Sequence, residues 1–342
     1  MTTTPANILV AGIGGASLGT EILKCLQGAR EYRVLGCDVS PLAFGHYGAG
    51  FAETFLVDRV GYVASVLELC RKQGVSVVIP GADEPGVLLS AAANQFEALG
   101  IKVAANSPRV AAICADKSLT VSTLRRAGFE VPRTFSPDDS AILGEQTPFI
   151  VKPATGSGGS SHVFFARSGK EAAMYGLLLT QQGRKAVIQD YLPDDEGEFT
   201  VGVLSLPGGR LVGSIAMRRL LTPKLSHSLR GEGYVVSSGY SQGLIDDFPQ
   251  VRGSAEAIAT ALHSEGPLNV QGRVRNGVLV PFEINARFSA STYLRARAGF
   301  NEVVIFLDHL VKGECNPPGP LRPGYYLRSL SEAAVLLQDI KR

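Results

Sequence analysis

The first hundred residues alternate between short apolar runs and helix-periodic stretches, and this alternation restricts the fold more than any other feature of the chain. Ile8–Ala11, Val34–Asp38, Val75–Pro80 and residues 103–105 read as strands, with helical stretches near 18–29, 62–73 and 85–99 between them. Parallel strands need a crossover, and a helix supplies it, so the pattern predicts a parallel sheet with helices on its faces. The first strand runs into Gly12-Ile13-Gly14-Gly15-Ala16-Ser17-Leu18-Gly19, and Asp38 ends the second. That invites a dinucleotide reading, but Ser17 stands at the third glycine position if Gly12 and Gly14 are the first two. A substrate-contacting loop and a purely architectural turn are the other readings. Pro80-Gly81-Ala82-Asp83-Glu84 follows the third strand at the same carboxyl edge, where open α/β sheets bind ligands. Asp83 and Glu84 either meet the amine of a substrate or serve the first turn of the next helix.

Two later segments carry the chemistry. Val280-Pro281-Phe282-Glu283-Ile284-Asn285-Ala286-Arg287 reads as a strand running into a loop. Alternate strand residues share a face, so Glu283, Asn285 and Arg287 are expected to line up. A carboxylate and an amide oxygen suit a hard cation such as Mg²⁺, and a guanidinium grips phosphoryl oxygens. Phe149-Ile150-Val151-Lys152-Pro153-Ala154-Thr155-Gly156-Ser157-Gly158-Gly159-Ser160-Ser161, followed by Val163-Phe164-Phe165, reads as strand, glycine-rich turn, strand. Glycines let backbone amides approach an anion closely, and Lys152 would add charge to the same phosphates. The turn is not a Walker A loop, since no Gly-Lys-Ser/Thr follows at the required spacing.

Together with their neighbours these segments resemble the ATP-grasp superfamily, most closely its carbamoyl-phosphate-synthase-like branch. The resemblance runs from about residue 5 to about residue 330, with the motifs in the family's order. Asp116-Lys117 opens a helix leading to Ala127-Gly128-Phe129-Glu130-Val131-Pro132, similar to the family's entry motif, in which Lys117 would reach the nucleotide phosphates. The resemblance gives Lys152, Gly156, Ser157, Gly158 and Gly159 a phosphate-binding role. Val187-Ile188-Gln189-Asp190-Tyr191-Leu192 resembles the adenine hinge, and Glu198 matches the residue that takes the ribose hydroxyls. Gln271, Glu283 and Asn285 match the metal ligands. Arg287 and Lys152 match the groups at the transferred phosphate. A glutamine at 271 replaces the aspartate of many peptide-type ligases and lowers the negative charge at the metals by one.

What the resemblance implies is an α/β protein. A Rossmann-like pre-ATP-grasp domain (1–110) leads through a connecting helix (111–129) into a two-part ATP-grasp fold. Its lid subdomain spans 130–195 and its central and C-terminal subdomain 196–342, ending in a strand near 324–329 and a terminal helix. The implied activity is an ATP-dependent, ADP-forming carboxylate–amine ligase acting on small molecules, amino acids or a related metabolite, through an acylphosphate. ATP with Mg²⁺ or Mn²⁺ would serve it, and a homodimer is compatible with it. Activation of bicarbonate or carbamate, and a non-catalytic nucleotide sensor, are the alternatives. The cation-rich stretch from Met217 to Tyr240 lacks clean periodicity and reads as a long irregular loop. Within it Arg218, Arg219 or Arg230 is a candidate for a substrate carboxylate, and the sequence does not choose among them.

Composition sets outer limits on these readings. At 342 residues, with 45% hydrophobic and 19% charged residues, the chain can bury substantial cores in two or three units. A net charge of +2 provides no global attraction to nucleic acid or anionic membrane, and the absence of tryptophan makes a base-stacking platform a poor fit. The five cysteines show no metal-ligand spacing, and no leader or long apolar span is apparent, so a cytoplasmic enzyme is expected.

Overall fold

The computed structural model describes residues 5–15, 18–29, 31–156 and 161–342. The expected parallel sheet is present, with five strands rather than four. In chain order its elements are β1 (Ala6–Ala11), α1 (Leu18–Leu26), β2 (Tyr32–Asp38), β3 (Glu53–Leu56), α2 (Tyr62–Lys72), β4 (Val75–Pro80), α3 (Asp83–Ala91), α4 (Ala93–Glu97) and β5 (Lys102–Val103). The strands order as β3-β2-β1-β4-β5, all parallel. The unexpected β3 is a four-residue edge strand whose Glu53 is exposed, too short and too polar to register as a buried run. On β1, Ile8 and Val10 enter one core while Leu9 and Ala11 enter another, so the sheet is covered on both faces.

The glycine cluster after β1 serves this packing. Gly12 has φ +104°, and a Cβ on either Gly19 or Gly81 would lie 2.0 Å from the Gly12 carbonyl oxygen. The loop, α1 and the β4–α3 turn therefore meet backbone to backbone. Asp38 closes the same loop: its Oδ2 accepts from the Ile13 amide at 2.8 Å and its Oδ1 from the Ser40 amide at 2.9 Å. Ser17 lies outside the described residues.

Helices α5 (Pro108–Ala115) and α6 (Lys117–Arg126) form the connection. Asp116 caps α6 by accepting from the Ser118 and Leu119 amides, which fixes where Lys117 emerges. A four-stranded antiparallel sheet follows, built from β6 (Thr134–Phe135), β7 (Phe149–Pro153), β8 (Phe164–Ala166), α7 (Gly169–Gln181) and β9 (Ala186–Asp190), in the order β6-β9-β7-β8.

The central layer comprises β10 (Glu198–Leu206), β11 (Arg210–Arg219), β12 (His227–Gly231), β13 (Tyr234–Ser237), β14 (Gly243–Asp246), α8 (Pro249–Leu262), β15 (Pro267–Arg275), β16 (Val278–Asn285), α9 (Thr292–Arg297), α10 (Glu302–Lys312) and β17 (Gly324–Tyr326). Six of these strands form one antiparallel sheet, β16-β15-β10-β11-β14-β17, with α8 packed on one face and β16 at its edge. The stretch expected to be an irregular loop is instead the hairpin β12–β13. No α-helix forms after β17; a single 3₁₀ turn at Leu337–Asp339 is all that appears there, with Leu336 and Leu337 exposed. A short helix without a face to bury is marginal in water, whatever its local propensity. Among the described residues, no helix is long and apolar enough to cross a membrane.

Candidate active site

The lid sheet and the central sheet enclose a cleft. From the lid it is lined by Ile150, Lys152 and the β9 end at Gln189–Leu192; from the central sheet by Glu198, Gln271, Arg273 and Glu283. Strand alternation explains the central wall. On β15, Gln271 and Arg273 share a face; β10 brings Glu198 opposite Arg273, and β16 brings Glu283 opposite Gln271.

Two lysines converge on this wall. The Lys117 amide donates to the Ala154 carbonyl at 2.9 Å, tying the start of α6 to the end of β7. Lys152, on β7, is buried, and its Nζ donates to the Phe282 carbonyl at 3.0 Å. Burial, and then the charge of Lys117, push the Lys152 pKa down to about 8, with Glu283 opposing them. A lysine held this way lacks a full counter-charge, which is what an incoming polyphosphate would provide.

Strands β15 and β16 bring Gln271, Glu283 and Asn285 close together. Gln271 lies opposite Glu283, and the Asn285 Nδ2 donates to Glu283 Oε1 at 3.3 Å, so the two β16 side chains share a face as expected. One carboxylate and two amides make a hard, oxygen-donating set that fits Mg²⁺, which takes few protein ligands and leaves room for phosphate oxygens and water. Arg287 departs from the strand reading. β16 ends at Asn285, and Arg287 reaches the cleft from the following loop, its Nη1 bound to the Phe288 carbonyl at 2.8 Å. There its Nε donates to Oδ1 of Asp83 at 2.6 Å.

At the end of β9, Gln189 Nε2 donates to Thr134 Oγ1 at 3.2 Å, and Asp190 Oδ2 accepts from Arg133 Nε at 2.8 Å. The Tyr191 hydroxyl accepts from the Val235 amide at 2.9 Å, which fastens this segment to β13. Leu192 is buried beside it. Glu198 is almost fully buried, with Oε1 on Arg219 at 2.9 Å and Oε2 on Arg273 at 3.0 Å. A ribose hydroxyl meeting Glu198 would share oxygens already held by two guanidiniums. The same arginines strap the β12–β13 hairpin down: Arg219 Nη2 donates to the Ser238 carbonyl at 2.8 Å, and Arg273 Nη2 to the Val235 carbonyl at 2.6 Å.

Other expected residues fall elsewhere. Arg218 alternates away from Arg219, is exposed and packs over Gly197. Arg230 is exposed, with Nη1 on the Leu221 carbonyl at 3.2 Å. Neither is among the cleft-lining residues. Glu84 is exposed, 3.7 Å from Arg59. Gly156, at φ +66°, stands with Thr155 beside Lys117 in a neighbouring cavity; Ser157, Gly158 and Gly159 lie outside the described residues. Sequence reasoning missed Arg273 and the inward turn of Arg219. Arg273 had a usable signal, since it stands two residues after Gln271 on one strand.

A model described as an ATP-grasp domain matches residues 114–235, and one described as a PylC-like N-terminal domain matches residues 8–104. By the first of these matches, residues 114–235 resemble an ATP-grasp domain. The chain is 31% identical over 185 residues to a phosphoribosylamine–glycine ligase from Synechocystis, a match that covers 52% of this chain and 40% of that ligase, less than half its length. Among solved structures it resembles an L-amino acid ligase from Bacillus licheniformis, with a TM-score of 0.64, 16% identity and coverage of 94% of this chain and 78% of that one. It also resembles the biotin carboxylase domain of a Hydrogenobacter thermophilus 2-oxoglutarate carboxylase in complex with MgADP and bicarbonate (TM-score 0.68, 15% identity, 94% and 74% covered). At these identities the likeness is one of fold.

Proposed function

We propose that this protein is an ADP-forming carboxylate–amine ligase of the ATP-grasp kind for small molecules. The observation that carries the reading is that Lys152, Gln271, Glu283 and Arg287 line the cleft, while Lys117 and Asn285 line the adjoining cavity that shares Glu283 with it. A carboxylate is a poor electrophile until its oxygen is converted to a leaving group, and the γ-phosphoryl of ATP does this. The two lysines bind and orient the phosphates, and buried Lys152 adds charge where water is scarce. Gln271, Glu283 and Asn285 would hold Mg²⁺, which when bound would offset the charge developing in phosphoryl transfer. Arg287 presents a planar fork to the acyl phosphate. Asp83 offers a carboxylate for the amine that attacks next, so an amino acid, bearing both charges, suits the pair. The β12–β13 hairpin, held over the cleft by Tyr191, Arg219 and Arg273, would help to shield an acylphosphate from water.

Support comes also from the ligases this chain resembles. The test is ADP release with pairs of carboxylic acids and amines, followed by oxygen-18 placed in the carboxylate of a productive pair. The expected outcome is one labelled oxygen in the released phosphate. AMP and pyrophosphate, or unlabelled phosphate alongside amide of full isotopic content, would exclude the acylphosphate route.

A further inference from the structure

We infer that a second cavity, next to the proposed metal ligands, is a subsite for an apolar group on the carboxylate-bearing substrate; this rests on the ligase reading. The cavity measures about 570 Å³, within the rough 300–1,000 Å³ range of small-molecule sites. Its walls are Val87 and Leu88 on α3, Ala115 at the end of α5, Val121 and Leu124 on α6, and Ile284 on the β16 edge. Lys117, Glu283 and Asn285 line the same cavity, so it is continuous with the place where a carboxylate would be phosphorylated.

Helix α3 shows that this space is not an accident of packing. Gly86, Leu89 and Ser90 already supply its buried face. Val87 and Leu88 form a second apolar surface, 40% and 36% exposed, turned into the cavity. A helix covering a sheet needs one apolar stripe, and a second one gains only if something covers it. With the nucleotide in the cleft and the carboxyl group at Glu283, Asn285 and Lys117, the rest of the acid is left to extend along this wall. Asp83 and Glu84, also lining the cavity, disfavour a second carboxylate there. The substrate class is therefore a monocarboxylic acid, amino acids included, bearing a branched aliphatic or aromatic group.

The chain has no tryptophan, so Val87→Trp installs a single emitter in an exposed part of the wall. In the presence of MgADP, 4-methylpentanoate should shift its emission to the blue in a saturable way, and acetate should not. With the unaltered protein and hydroxylamine as trapping amine, kcat/KM for ADP release should climb from acetate through 4-methylpentanoate, by about tenfold or more per methylene until the space is filled. Leu88→Asp should flatten that series while leaving the thermal shift with ATP and Mg²⁺ unchanged. A flat series in the unaltered protein, together with a silent tryptophan, would overturn the subsite even if ATP and Mg²⁺ stabilise the fold. Absence of that stabilisation would instead overturn the ligase reading, and the subsite with it.

Discussion

Asp83 Oδ1 accepts from Arg287 Nε at 2.6 Å, joining the first turn of α3 in the parallel-sheet unit to the loop that leaves β16. Asp83 is one of two residues the sequence left undecided between capping a helix and meeting a substrate. The cap at Ala82 has no side-chain hydrogen bond, and Asp83 spends its carboxylate on the arginine of the cleft. Asp83→Asn should thus lower kcat/KM in ligation by tenfold or more while moving Tm by only about 2 °C or less, since a half-exposed ion pair contributes roughly 0–1 kcal/mol to stability. Kinetics with denaturation checks this. A large Tm loss with unchanged kinetics would make the pair structural.

Lys152 gives a pH signature. Its pKa is pushed down to about 8 from 10.5, so between those values the unfolded chain binds the proton that the folded site releases. The sign follows: this residue's contribution to stability rises from pH 8 toward about pH 10.5, because the cost of burying the charge is relieved. Nucleotide binding works the other way. Phosphate charge favours protonated Lys152, so ATP binding should take up a proton above pH 8 and weaken as pH rises. Calorimetry in buffers of different ionisation enthalpy measures the uptake, and Lys152→Met should abolish it. Proton-neutral binding at pH 8.5 would remove Lys152 from the phosphate site.

Glu283 is the only formal negative charge among Gln271, Glu283 and Asn285. Glu283→Gln keeps the shape and the β16 pairing but leaves three neutral amides, a poor set for a divalent cation. Turnover should fall by a hundredfold or more, with the folded state intact by circular dichroism. ADP formation surviving within about tenfold, roughly 1.4 kcal/mol of barrier, would dismiss the metal role.

Legibility followed the range of the interactions. Strand period and helix caps are local, so β7, β16, α6 and the helices and inner strands of the parallel sheet could be read from residues near in sequence. Glu283 and Asn285 fell on one face because they stand two positions apart on the strand. Arg287 reached the cleft for a different reason, since the strand stops at Asn285 and the loop redirects it toward Asp83, 204 residues away. The hairpin at 227–237 was opaque for the same reason. Its own sequence is irregular, and it is held by Tyr191, Arg219 and Arg273 from three other elements. The terminal segment erred in the opposite sense: it has helical composition and nothing to pack against.

The Glu198 cluster yields a prediction that separates architecture from nucleotide contact. Its side chain and that of Arg219 are each 1% exposed and that of Arg273 6%, so three charges share one dry pocket with a net charge of plus one. Glu198→Gln would leave two buried guanidiniums facing a neutral amide. Breaking a buried pair in this way costs about 3–5 kcal/mol, far more than the net worth of the intact pair, because the remaining charge stays unsolvated. The loss should be partly recovered by adding Arg219→Met, which removes one of the stranded cations, and urea unfolding of the two single variants and the double variant measures that coupling. If Glu198 also receives the ribose, the double variant should fold yet bind ATP more weakly than Arg219→Met alone. Full recovery of both stability and ATP affinity would leave Glu198 a strap for the β12–β13 hairpin, and a Glu198→Gln protein as stable as the parent would show that the cluster is wetter than its burial implies.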